Sequence, residues 1–115
     1  MQSLVVRIDP KPLVNADVDL RYEIPDRLSE ASGKRIKDSG YGYEPETDAM
    51  HIYLSAENAD AALPLVIQLL ESNTLEEPGL LKAVLVGVSE LPVSESSSYR
   101  AVYPPGRSES IQRTR

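Results

Sequence analysis

Cysteine, phenylalanine and tryptophan are all missing from this chain of 115 residues, and histidine occurs once. Without cysteine there can be no disulfide scaffold, no thiol nucleophile and no cysteine-based zinc site, and the absence fits a reducing, cytoplasmic location. A single imidazole is too few for the usual transition-metal centres. Long apolar runs are missing too. The longest, AALPLVI over 61–67, is far short of the roughly 20 residues that a membrane-spanning helix needs. The N-terminal MQSLVVRID has no basic segment before its short apolar run and no small-residue cleavage site after it, so it reads as a strand rather than a signal peptide.

With no phenylalanine or tryptophan, the core must be aliphatic, built from Leu, Val, Ile and Ala. All six aromatic residues are tyrosines. Tyrosine tolerates half-exposure, because its ring packs while its hydroxyl stays hydrated, and it is enriched where proteins meet. Charge is unevenly spread. Residues 1–106 hold 9 Lys+Arg against 17 Asp+Glu, a balance of -8, whereas 107–115 hold three arginines against one glutamate, a balance of +2. An acidic body repels phosphate backbones, which argues against nucleic acid as a partner, and it favours encounter with a basic protein.

Hydrophobic patterning divides the chain into short elements. Gln2–Asp9 alternates and is rich in β-branched residues, which predicts a strand ended by Pro10 and Pro12. A helix is expected over Pro25–Ser32, with Gly33 ending it in the left-handed conformation. Residues 17–24 stay open: Val18, Leu20, Tyr22 and Ile24 alternate as in a strand, yet Leu20, Ile24, Leu28 and Ala31 share one helical face, and Asp17 can cap a helix. Lys34–Glu44 and Ala49–Ser55 read as two strands joined by PETD, a hairpin. The next helix starts at Asn58 or Asp60 and presents Leu63, Val66, Ile67 and Leu70, with Pro64 favouring Asp60 as the cap. Leu81–Glu90 is a buried strand, and Tyr99–Pro104 is a short edge strand able to pair with a second copy as a homodimer. The order strand, helix, strand, strand, helix, strand, plus an extra C-terminal strand, is that of a ferredoxin-like split βαβ sandwich. This is an α+β fold with two helices on one face of an antiparallel sheet. Residues 1–106 form this single domain, and 107–115, with Ile111 as their one large apolar residue, form a disordered basic tail.

Chemistry concentrates in KDSGYGYEPETDAMHIYL over 37–54. Its acids, Asp38, Glu44, Glu46 and Asp48, lack the alternating ligands and turn glycine of a calcium loop. SGYGYEP has no third glycine and no following helix, so it is no phosphate cradle. His51 could act as a general base with Asp48 or Glu46, but no nucleophile elbow accompanies it. Tyr41 and Tyr43 share a strand face, as do His51 and Tyr53. In one hairpin register the two pairs face each other; in the other, Tyr41 and Tyr43 oppose Ile52 and Met50. The first register makes Tyr41, Tyr43, Glu44, Glu46, Asp48, His51 and Tyr53 one recognition patch of aromatic anchors with a charged rim.

NADVDLRYEIPDRLSEASGKRIKDSGYGYEP, MHIYL and DAALPLVIQLLE together resemble small bacterial cytosolic α+β proteins with an N-x-D, an I-P-D, a D-x-G-Y-x-Y and an A-L-P helix. The resemblance covers roughly residues 15–71. Some proteins of this size and acidity are immunity proteins that block a partner toxin, and the resemblance implies such a role at the level of fold alone. The expectation is therefore a non-enzymatic protein-binding module without a cofactor, in its most specific form a toxin-neutralising immunity protein. A small-molecule-binding regulatory domain is the alternative, and a His51-dependent enzyme comes third.

Overall fold

The computed structural model describes residues 1–9, 20–72, 80–106 and 109–113. In chain order the elements are β1 (Gln2–Ile8), α1 (Leu20–Ala31), β2 (Lys37–Tyr43), β3 (Met50–Ala56), α2 (Ala59–Glu71), α3 (Leu80–Ala83), β4 (Val84–Ser89), β5 (Ser98–Tyr103) and β6 (Ser110–Gln112). All six strands join one sheet in the order β2-β3-β1-β4-β5-β6, and every pair is antiparallel. The fold is α+β. Among the described residues no helix is long and apolar enough to cross a membrane.

β1 is central in the sheet, between β3 and β4, and a hydrophobic cluster covers each of its faces, which is why LVVRI is nearly continuous in apolar character. One face carries Leu4, Val6, Ile52, Leu54 and Val86, which pack under Leu20, Ile24 and Leu28 of α1 and Ala62, Val66 and Leu70 of α2. The opposite face carries a smaller cluster of Val5, Tyr53, Leu85, Tyr99, Ala101 and Ile111. The sheet curls around this second cluster. Gly87 makes the curl feasible: a Cβ there would lie 2.8 Å from Tyr99 Cβ and 3.0 Å from Ile111 Cδ1.

Several expectations change. Residues 20–24 are helical, because burying Leu20, Ile24 and Leu28 together rewards the helical face over the alternating one. The helix start expected at Asp17, and residues 17–19, lie outside the described residues. Gly33 and Lys34 both take positive φ, and Lys34 N–H closes the helix end on Ser29 C=O at 2.7 Å. The cap of α2 is Asn58, not Asp60: its side chain accepts from Ala61 N–H at 3.0 Å. Pro64 sits inside that helix, where the carbonyl deprived of a partner belongs to the exposed Asp60. Leu81 belongs to a helical turn, and the strand begins only at Val84.

The largest correction concerns the C-terminus. Ser110–Gln112, expected within a disordered tail, pairs with Ser98–Arg100, and Ile111 is buried against Tyr99. One apolar residue anchors a strand here because Gly87 leaves a hollow that its side chain fills. Consequently β5 is not the edge strand of the sheet, and its stretch over 98–101 is already taken by β6 on the side where a second copy was expected.

Candidate functional site

The hairpin follows the second register: Tyr41 opposes Ile52, Gly42 opposes His51 and Tyr43 opposes Met50. Cross-strand partners share a face, so Tyr41 and Tyr43 lie on the helix side of the sheet while His51 and Tyr53 lie on the other. The expected single patch is therefore two separate clusters. A bulge between Asp38 and Tyr41 accompanies this register, with Gly40 at φ 99° and its N–H bonded to Asp38 Oδ1 at 2.9 Å.

On the helix side, Tyr41 and Tyr43 meet α1. Tyr22 and Tyr41 rings contact edge to face at 6.1 Å, and Tyr41 and Tyr43 do so at 6.0 Å. The Arg21 guanidinium lies 4.8 Å from the centroids of both Tyr22 and Tyr41, and its Nη1 donates to the Tyr43 hydroxyl at 2.9 Å. These three tyrosines remain 49%, 45% and 37% exposed, so the cluster is both ordered by its own contacts and open to solvent. Arg21 and Tyr22 were not singled out in the sequence, because α1 had no certain start and they sit about 20 residues before their partners.

On the opposite face, His51 is fully buried beside Arg7, its register partner on β1. Glu44, two residues past Gly42 on the same face, reaches over the glycine to join them. Its carboxylate accepts from Arg7 Nε at 2.5 Å and Nη2 at 3.2 Å, from His51 Nε2 at 2.6 Å and from Thr47 Oγ1 at 2.8 Å. Hydrogen bonding to Arg7 first, then to His51 and Thr47, outweighs desolvation and holds Glu44 down to about 2. The Arg7 guanidinium is raised, led by the same bond. Burial pushes His51 below its usual value despite Glu44. Neutral His51 donates through Nε2, so Nδ1 accepts from the Tyr53 hydroxyl at 3.2 Å. Both ring nitrogens are thus engaged inside the protein, which leaves none to take a proton from an outside molecule.

Glu46 is exposed in the hairpin loop, and Asp48 serves the turn, with φ 59° and its N–H bonded to Glu44 C=O at 3.0 Å. Beside the network a cleft of about 790 Å³ runs between this loop and β6, floored by Leu85 and Arg7. Among the described residues no three His, Asp or Glu side chains converge as a metal ion would require. No family model, curated protein or solved structure matches the chain.

Proposed function

We propose that this protein is a non-enzymatic protein-binding module that contacts its partner through Arg21, Tyr22, Tyr41 and Tyr43. The observation that carries the reading is the exposed aromatic–arginine cluster. Tyrosine and arginine dominate binding hot spots, and tyrosines already held by one another and by Arg21 lose little freedom on contact. The net charge of -6 steers a basic partner toward the molecule. A toxin-neutralising immunity role in the cytoplasm is the most specific form of this reading. The buried, doubly engaged His51 supports a non-catalytic role for the histidine. The fold we propose is ferredoxin-like, with β5 and β6 added; the order β2-β3-β1-β4 supports it.

The test is affinity capture from host lysate followed by titration of the purified partner, comparing wild type with Tyr22→Ala/Tyr41→Ala. Both proteins must first show matching melting curves. The expected result is a one-to-one complex that the double variant weakens by a factor of ten or more, as loss of hot-spot side chains does. Equal affinity of both proteins for the partner would remove this surface from the proposal.

A further inference from the structure

The hydrogen-bond pattern of β6 shows which of its backbone groups are free. Ala101 N–H bonds to Glu109 C=O at 3.0 Å, and Arg113 N–H bonds to Ser97 C=O at 3.0 Å. In an antiparallel ladder the bonded residues alternate, so Glu109, Ile111 and Arg113 direct their backbone groups toward β5. Ser110 and Gln112 therefore direct theirs outward, where no strand follows in the sheet among the described residues. Both residues line the cleft of about 790 Å³ whose far wall is the hairpin loop, Pro45–Thr47. An unpaired strand edge thus opens into a bounded groove.

We propose that β6 is a strand acceptor: an extended segment of another protein adds to its outer edge inside this cleft. A second copy of this chain does not fit. Its own sheet would follow behind any pairing strand, and the hairpin loop stands where that sheet would go. A single strand has no such neighbour. The lining sets its chemistry. Leu85 and Ile111 provide an apolar floor for one row of aliphatic side chains. Among the described residues the charged lining comprises Glu44, Glu46 and Glu109 against Arg7 and Arg113, a net of one negative charge. The segment alternates aliphatic and basic residues. Tyr43 borders both this cleft and the tyrosine surface, whereas Arg21, Tyr22 and Tyr41 do not line the cleft, and the proposal does not depend on those three.

The experiment is an NMR titration of the ¹⁵N-labelled full chain with the capped hexapeptide Val-Lys-Val-Lys-Val-Lys. Expected are saturable shifts of the Ser110, Gln112 and Thr47 amides. The same peptide N-methylated at alternate residues, on the edge that pairs, should bind at least about tenfold more weakly, because two backbone hydrogen bonds are lost. Val-Glu-Val-Glu-Val-Glu should also bind more weakly. Tyr22→Ala/Tyr41→Ala should leave the Val-Lys affinity unchanged, which separates this site from the tyrosine surface. Absence of saturation, equal binding of the N-methylated peptide, or shifts confined to Tyr22 and Tyr41 would each overturn the proposal.

Discussion

Glu44 ties two strands and a loop together with one carboxylate: Arg7 from β1, His51 from β3 and Thr47 of its own loop. Glu44→Gln keeps the shape but leaves Arg7 without its counter-charge and turns one acceptor oxygen into a donor. The expected loss is about 1–3 kcal/mol of stability, measured by urea unfolding at pH 7.5. The pH dependence has two windows of the same sign. The unfolded chain binds a proton at His51 near the ordinary imidazole value, about 6.5, whereas the buried ring resists it, so stability falls as pH drops below that value. Glu44, depressed from 4.5 to about 2, contributes stability that is present above 4.5 and lost as pH falls through about 2. Unfolding midpoints of wild type should therefore decline below pH 6.5 and again below 4.5. Glu44→Gln should flatten the lower window, and His51→Gln the upper one. A variant curve parallel to wild type throughout would show that the group it replaces is not linked to folding.

At the scale of elements, the curl between β4 and β6 depends on Gly87. Adding a methyl group there forces Tyr99 or Ile111 aside, and Gly87→Ala should cost about 1–3 kcal/mol as overpacking. Ile111→Ala should cost about 2 kcal/mol by emptying the hollow beneath β6. The two losses should sum to less than additive in the double variant, because removing Ile111 relieves part of the crowding at residue 87. Full additivity, read from thermal unfolding, would mean that the two side chains do not share that space. This coupling also explains what could be read from the sequence. β1, β3 and α2 were legible, since each carries its own apolar pattern over 7, 7 and 13 residues. β6 was not: three residues with one isoleucine hold no period, and their burial depends on a glycine more than 20 residues earlier. Residues 20–24 fit two periods equally until α1 had a sheet to pack on. The site divided in the same way. Tyr41, Tyr43, Glu44 and His51 stood out locally, but the hairpin register that sends the two tyrosines and His51 to opposite faces is set by the geometry of the 44–49 loop, which the alternation itself does not carry.

For the whole molecule, the decisive property is how its two sheet edges are guarded. β2 ends one side of the sheet, and its bulge at Gly40, the Asp38 carboxylate on Gly40 N–H and the exposed Lys37 all interrupt the straight ladder that another sheet would need. β6 ends the other side, and its open edge faces the hairpin loop across the cleft, a wall that a second sheet paired to β6 would meet. The net charge of -6 adds repulsion between copies. Edge-to-edge association is thereby blocked at both ends, and the protein should be a monomer. Light scattering behind gel filtration at pH 7.5 should return a mass near 12.7 kDa, unchanged over a tenfold range of concentration. A mass of twice that value would mean that β2 pairs in spite of its bulge. Tyr22→Ala/Tyr41→Ala would then decide between modes: a dimer held by the aromatic cluster should dissociate, while one held by backbone pairing should persist. The monomer leaves Tyr22 and Tyr41 on one side and the β6 cleft on the other accessible together, with Tyr43 bordering both, so that a partner can engage either without displacing a second copy.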